Sequence, residues 1–194
     1  MTGVIVFLIS DRSSTRPNSR PSGRRCWHPL IPNGNVSEWY FFTGKKFTAD
    51  VRYNIDDENT VTACGGKQFG KDAFSVIPEI CGYAGRRKGL GPEVWILSET
   101  KKLSLSSYVQ YARLRDENSF GYFWLEGEGK VSKHFQPGLA SETEKDVGQP
   151  PRLDIGVAAK FIFGRFGVNA YPLWTVTPNG RGDTHIRTGL SYSF

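Results

Sequence analysis

Apolar and polar residues alternate with a period of two over long stretches of this sequence. In the segment 152–163, one face carries Leu153, Ile155, Val157, Phe161 and Phe163, and the other carries Asp154 and Lys160. Segments 47–55, 103–111 and 186–194 repeat the pattern. Such alternation puts successive side chains on opposite faces of a β-strand. The spacing typical of an amphipathic helix does not recur from residue 36 onward, so the sequence predicts an all-β fold.

Glycine-rich and polar turn signals divide the chain into about ten strands, with eight and twelve as the neighbouring possibilities. We predict strands near 45–55, 59–69, 73–84, 91–99, 102–114, 119–128, 131–141, 152–163, 166–176 and 184–194. Most of these exceed the 5–6 residues usual in globular proteins and suit the roughly 9–11 that a tilted strand needs to cross a bilayer. Long strands joined by tight turns predict an antiparallel up-and-down β-barrel of the transmembrane type.

The two faces of the strands indicate which side of the barrel is apolar. On 152–163 the less apolar face combines small residues with charges, which suits a narrow polar interior. We therefore expect lipid contact from Leu153, Ile155, Val157, Phe161, Phe163, Ile186 and Leu190. We expect positions in the lumen for Asp154, Lys160, His134 and Arg187. The alternative is a soluble, lipocalin-like barrel with the same apolar residues lining a cavity for an apolar ligand.

Many aromatic residues lie near the ends of the predicted strands. They include Tyr122, Phe123, Trp124, Tyr171, Trp174 and Tyr192. Tyr, Trp and Phe form girdles at the two interfaces of a membrane barrel, where the hydrocarbon meets the headgroups. We expect these residues to form such girdles.

Residues 1–35 differ in composition from the remainder. They hold five Arg and one acid, Asp11, whereas residues 36–194 hold 20 Lys and Arg against 18 Asp and Glu. The near balance in the body argues against a nucleic-acid-binding protein. The Arg-, Ser- and Pro-rich stretch after residue 11 cannot bury enough surface to order itself. We expect 1–35 to be a disordered tail or a wrongly assigned start, and 36–194 to form the barrel domain.

Motifs that carry chemistry are few. Gly65 to Lys71 match the start of a phosphate-binding loop, but Asp72 stands where the motif needs Ser or Thr, and a β-type segment follows. We interpret the stretch as a glycine-rich hairpin. His28, His134 and His185 lack the partner groups that catalytic histidines need. We therefore expect no enzymatic activity, no cofactor and no metal.

Cys64 and Cys81 flank the predicted hairpin at similar distances from its tip. In one register they face each other and can form a disulfide in an oxidising compartment. A register shifted by one residue places them on opposite faces of the sheet. The sequence leaves both arrangements open.

The final seven residues, Thr188 to Phe194, alternate and close on an aromatic carboxy-terminal residue. This ending resembles the terminal strand of bacterial outer-membrane β-barrel proteins. The resemblance implies that Tyr192 and Phe194 belong to the signal read by the barrel-insertion machinery. It also implies a Gram-negative outer-membrane location, the lipid bilayer as partner, and a structural or narrow-pore role. Members of this class carry an export signal, which residues 1–35 do not resemble.

Overall fold

The computed structural model describes residues 4–11, 34–36, 47–54, 60–71, 73–115, 119–176 and 182–193, which form strands and turns. The strands are β1 Val4–Asp11, β2 Gly34–Val36, β3 Phe47–Asn54, β4 Thr60–Lys67, β5 Phe69–Lys71, β6 Phe74–Ala84, β7 Gly89–Glu99, β8 Leu103–Leu114, β9 Phe120–Gly129, β10 Phe135–Asp146, β11 Arg152–Phe163, β12 Phe166–Val176 and β13 Thr184–Ser193. Within the described ranges, no helix is long and apolar enough to cross a membrane.

All of the strands belong to one antiparallel sheet. From β6 to β13 each strand pairs with the next one in the chain, and β4 and β3 continue the sheet beyond β6. The short β5 also pairs with β6. This arrangement confirms the predicted up-and-down architecture, and the ten predicted strands correspond to β3, β4 and β6 to β13.

One predicted strand is displaced along the chain. The segment expected at 131–141 begins instead at Phe135 and continues to Asp146. The Ser132 hydroxyl accepts hydrogen bonds from the backbone N–H groups of His134 (3.2 Å) and Phe135 (2.9 Å). A side chain that bonds the backbone in this way stabilises a turn in place of a strand ladder. The strand therefore starts only after this turn.

The other end of the sheet involves residues expected to lie outside the barrel. β1 pairs with β13 from Val4 opposite Ser193 to Asp11 opposite Ile186, and β2 pairs with β1. Residues 4–11 and 34–36 are therefore paired in the sheet, and the residues between them lie outside what the structure describes. The apolar run that starts at Val4 favours strand formation, and it occupies an edge of β13 that would otherwise leave backbone groups unpaired.

The sheet curls around one of its faces, which we call the interior face. Arg52 on β3 contacts Glu93 on β7, three strands away in the sheet order, at 2.6–2.7 Å. Tyr171 on β12 donates to Glu126 on β9, again three strands away, at 3.0 Å. Three steps cover roughly 14 Å in a flat sheet, so such contacts require strong curvature. Some Cα atoms of β2 also lie within 8 Å of β3, which brings the two ends of the sheet near each other.

Candidate functional site

The interior face is rich in polar side chains that are shielded from solvent. Its buried polar and charged members are Thr48, Asp50, Arg52, Thr60, Thr62, Ser75, Glu79, Glu93, Glu128, Glu142, Asp154 and His185. The period of two explains their location, because these residues occupy alternate positions on their strands. Proteins rarely bury so many ionisable groups unless those groups bond one another. The contacts between them therefore define the site.

The first group of contacts surrounds Arg52, and we call it the Arg52 cluster. Arg52 donates to both carboxylate oxygens of Glu93 (2.7 and 2.6 Å) and to the hydroxyl of Tyr108 (2.5 Å). Its Nε and Nη2 atoms lie 3.0 and 3.1 Å from the carboxylate of Asp50. The guanidinium also lies over the rings of Tyr108 and Trp95, at 5.3 and 5.9 Å from their centroids. A planar fork of donors matches paired carboxylates in this way, which a lysine cannot do.

Further contacts tie neighbouring strands to the Arg52 cluster. Gln110 donates to the hydroxyl of Tyr83 and, at 3.2 Å, to Glu93. Cys64 and Cys81 lie opposite each other on β4 and β6 and form a disulfide. The register that the sequence left open is therefore the one that brings the two thiols together.

The second group of contacts joins the last four strands, and we call it the His185 cluster. It consists of Glu142, Asp154 and His185 with the two arginines Arg152 and Arg187. His185 Nε2 lies 3.9 Å from a carboxylate oxygen of Glu142 and 3.9 Å from one of Asp154. Arg187 pairs with the other oxygen of Glu142, and the Nε of Arg152 lies 3.1–3.2 Å from the two oxygens of Asp154.

A third set of polar residues lies beside the His185 cluster on β9, β11 and β12. Glu126 accepts hydrogen bonds from Tyr171 (3.0 Å) and from the indole N–H of Trp124 (3.2 Å). Lys160 Nζ lies 3.5 Å from Glu128. The rings of Trp124 and Tyr171 also meet edge to face, with centroids 5.2 Å apart.

The interior face is acidic in composition. Within the described strands, the buried and half-buried carboxylates are Asp50, Glu79, Glu93, Glu126, Glu128, Glu142, Glu144, Asp146 and Asp154. The corresponding basic residues are Arg52, Arg152, Lys160 and Arg187. The whole chain has a formal charge of +6, so this excess of acids runs against the net charge of the sequence.

The seven residues expected to contact lipid all lie on the outer face. Leu153, Ile155, Val157, Phe161, Phe163, Ile186 and Leu190 are 39–61% exposed. Other strands expose large apolar residues at the equivalent positions, including Val51, Ile80, Leu105, Val109 and Leu139. The polarity of the sheet is therefore inverted relative to a soluble barrel, with its apolar residues outside and its ionisable residues inside.

The residues expected in the lumen divide into two groups. Asp154 is buried, and Lys160 and Arg187 are half-buried, all three with partners on the interior face. His134 is not in a strand: it is exposed in the turn before β10, with Nδ1 3.0 Å from the carbonyl oxygen of Ile162. The turn at Ser132 explains this difference, because it delays the start of the strand.

The predicted aromatic girdle is wrong for Tyr122, Trp124 and Tyr171. Tyr171 is buried, the other two are half-buried, and the polar groups of all three contact interior charges. Amphipathic rings suit either environment, which explains the error. Trp174 is exposed on the outer face, as expected. Tyr192 pairs with Phe166 through the backbone, whereas its side chain and Phe194 lie outside what the structure describes.

Sequence reasoning missed the central members of both clusters, Arg52, Glu93, Glu142 and His185. For Arg52, Glu93 and Glu142 a signal was present, because a charged residue at an inward position inside a long strand needs a partner inside the barrel. His185 is the second residue of β13 and gave no such signal. Their partners lie on distant strands, and only the curvature of the sheet brings them together.

Comparison with solved structures agrees with this description of the fold. The NanC porin matches with a TM-score of 0.67 at 10% identity, over 98% of this chain and 100% of that chain. The KdgM porin matches with a TM-score of 0.64 at 12% identity, over 98% and 99%. KdgM in complex with disordered oligogalacturonate matches at 0.62 and 12% identity, over 100% and 99%. At such identities the likeness is one of fold, and the fold is that of small porins.

No protein-family model matches the chain, and no curated protein is similar to it in sequence.

Proposed function

We propose that this chain is a small β-barrel of the bacterial outer membrane that acts as a narrow pore and favours cations over anions. The observation that carries the proposal is the inverted polarity of the sheet. Exposed residues such as Val157 (42%) and Ile80 (65%) cover the outer face, whereas Glu93 and Asp154 are buried on the interior face. Lipid is the environment in which such an outer surface is stable.

The alternative, a soluble lipocalin-like carrier of an apolar ligand, is not supported by this distribution of apolar and ionisable residues between the two faces. A lipocalin-like barrel needs an apolar cavity, and the residues that would line it, Leu153, Ile155, Val157 and Phe161, are on the outer face. The interior offers an apolar ligand mainly carboxylates, arginines and hydroxyl groups. Bringing such a ligand in would displace the partners of these groups at a large desolvation cost.

The excess of carboxylates on the interior face supports a preference for cations. Acidic residues that line a pore lower the energy of a cation inside it and raise that of an anion. The KdgM structure named above holds an oligogalacturonate, which is a polyanion. Among the described strands, the interior face has nine carboxylates against four basic groups, so these residues do not give a polyanion a net positive lining.

The interior also contains polar atoms that need solvent. Glu79 Oε2, Glu128 Oε1 and Asn169 Oδ1 are buried and have no hydrogen-bond partner among the described residues. A hydrated interior satisfies such atoms, whereas a dry one leaves them at a cost of about 1–3 kcal/mol each. These atoms therefore support a wet pore.

A purely structural role is the second candidate, and the Arg52 cluster favours it. Its contacts join β3 to β7 and β8 across the interior, and Arg52 is only 4% exposed. Barrels of this size are filled largely by side chains. A barrel closed by this cluster would anchor in the membrane without conducting.

Membrane fractionation and conductance test the proposal. Outer-membrane fractionation with heat-modifiable migration on a gel would support the barrel, and recovery in the soluble fraction would overturn it. In planar bilayers with a tenfold KCl gradient, we expect small unitary currents and a reversal potential of the sign set by K⁺. A reversal potential set by Cl⁻ would contradict the preference for cations, and a folded protein without any current would favour the structural role.

We also propose that the carboxy-terminal strand serves as the insertion signal. Pairing of β13 with β12 on one side and with β1 on the other supports this, because a strand whose backbone groups are paired on both edges is well formed in the folded sheet. Deletion of Phe194 should sharply reduce membrane levels in cells and affect refolding in detergent much less. Normal membrane levels of the deletion variant would contradict a role in recognition by the insertion machinery.

A further inference from the structure

We propose that Glu142, Asp154 and His185 form a binding site for a divalent transition-metal ion, of which Zn²⁺ is the representative, inside the barrel. The sequence predicted no metal site, because these residues are far apart along the chain and match no ligand motif. The inference is independent of the proposed pore, since the three residues meet in the folded sheet whether or not ions pass through it.

Sheet register brings the three side chains together. Glu142 on β10 lies directly opposite Asp154 on β11, and His185 is on β13, two strands further along. Their side chains are 2–4% exposed. One ligand atom from each residue lies within 4.8 Å of the other two. Curvature of the sheet thus converges an imidazole and two carboxylates on one point.

The state of His185 is what points to a ligand. Its side chain is 98% buried, and neither ring nitrogen has a hydrogen-bond partner among the described residues. The two carboxylates are 3.9 Å from Nε2, which is beyond hydrogen-bond distance. An imidazole buried without a partner is costly, whereas coordination of a metal ion uses its lone pair.

Two arginines hold the carboxylates in place. Arg187 pairs with Oε1 of Glu142, and Arg152 contacts the carboxylate of Asp154 and donates to Thr175 at 2.8 Å. In metal centres, hydrogen bonds of this kind orient the ligating groups. The surplus of carboxylates on the interior face offsets the charge that a divalent ion would add.

The donor set selects the kind of metal. Calcium and magnesium take oxygen ligands, whereas imidazole with carboxylates suits zinc and its neighbours. Ligand atoms about 2.0–2.2 Å from a tetrahedral zinc are roughly 3.4 Å apart. The observed 3.9 Å therefore requires the side chains to move inward by about half an ångström. Three protein ligands leave a fourth position for water or a solute.

Calorimetric titration of untagged, folded full-length protein in detergent with ZnCl₂ tests the site. We expect one saturable Zn²⁺ site, and no comparable binding of CaCl₂ or MgCl₂. His185→Asn should weaken Zn²⁺ binding by at least tenfold, since even changes outside the ligand shell cost about 10–100-fold. His134→Asn is the matched control, because His134 is exposed in a turn, and it should bind as the wild type does.

Three outcomes would overturn the proposal: no Zn²⁺ binding by the wild type, equal affinity in His185→Asn, or loss of binding only in His134→Asn. Migration of unheated and heated samples on a gel checks that each variant is folded. If His185→Asn does not fold, Asp154→Asn serves in its place, because it removes a ligand charge and keeps the side-chain volume. Wild-type affinity in Asp154→Asn would exclude the site equally.

Discussion

The Arg52 cluster and the His185 cluster are built from the same residue types and differ in how completely their polar groups are paired. Arg52 is 4% exposed and contacts two carboxylates and a tyrosine hydroxyl, with a disulfide between the adjacent strands β4 and β6. In the His185 cluster, Arg152 and Arg187 are only half-buried, and His185 has no hydrogen-bond partner in the described part of the chain. The Arg52 cluster is therefore suited to holding strands together, and the His185 cluster to binding a ligand such as the proposed metal ion.

Replacing an arginine by glutamine in each cluster, Arg52→Gln and Arg187→Gln, gives the sharpest test of this difference. We expect Arg52→Gln to cause the larger loss of unfolding free energy. In Arg52→Gln the carboxylates of Glu93 and Asp50 remain buried without their cation. Breaking a buried ion pair from one side costs about 3–5 kcal/mol of unfolding free energy. Guanidinium unfolding in lipid vesicles, followed by tryptophan fluorescence, measures it. Arg165→Gln, in an exposed turn, is the control and should change stability by less than about 0.5 kcal/mol.

Arginine substitutions on the outer face should destabilise the region of the Arg52 cluster and the region of the His185 cluster to the same extent. Ile80, in the middle of β6, and Val157, in the middle of β11, are both exposed and both apolar. If both meet lipid near the bilayer midplane, Ile80→Arg and Val157→Arg should each cost roughly 2–4 kcal/mol. Lys160→Ala, on the interior face of β11, should cost clearly less than Val157→Arg in the same vesicle assay. A larger loss of stability in Lys160→Ala than in Val157→Arg would place the apolar face inside and favour the soluble lipocalin-like carrier.

The sequence predicted the strands well because their information is local. The bounds of β11 and β12 match the predicted 152–163 and 166–176, since strict alternation ends at a Gly164–Arg165 turn. Gly164 has a φ of +64°, a conformation that favours glycine there. The start of β10 was wrong because alternation alone does not reveal that the Ser132 hydroxyl bonds the backbone of Phe135.

The clusters could not be predicted in the same way, because their contacts are not local. Arg52 and Glu93 are 41 residues apart, and Arg187 and Glu142 are 45 apart. Each pair depends on the register of several ladders and on the curvature of the sheet. A shift of one residue in any ladder would move a partner to the outer face. The alternation of apolar and polar residues therefore indicated a polar interior face. It did not indicate which charged side chains contact one another there.

The disulfide should reinforce the Arg52 cluster by a smaller amount. Cys64 and Cys81 are separated by 17 residues, and a crosslink closing a loop of that size contributes about 2–3 kcal/mol. We expect this loss of unfolding free energy in Cys64→Ala/Cys81→Ala, compared in a Cys26→Ser background. Dithiothreitol should lower the stability of the parent by a similar amount and leave the double variant unchanged. A double variant as stable as its parent would mean that the pair adds nothing to the first region.

Arg187→Gln, the counterpart of Arg52→Gln in the second region, should lower stability less than Arg52→Gln or loss of the disulfide. The Arg187 side chain is 17% exposed, more than three times the value for Arg52, so water partly solvates its guanidinium and screens its ion pair with Glu142. We expect a loss of about 1–2 kcal/mol, the scale of a hydrogen bond to a charged group. The main effect of Arg187→Gln should be on ion selectivity rather than on stability. Removing a cation from an acid-rich interior strengthens the preference for K⁺ over Cl⁻. The reversal potential in a KCl gradient should therefore move further toward the K⁺ value. Equal losses of stability in the two arginine variants would show that both clusters are structural, and the distinction between the regions would fail.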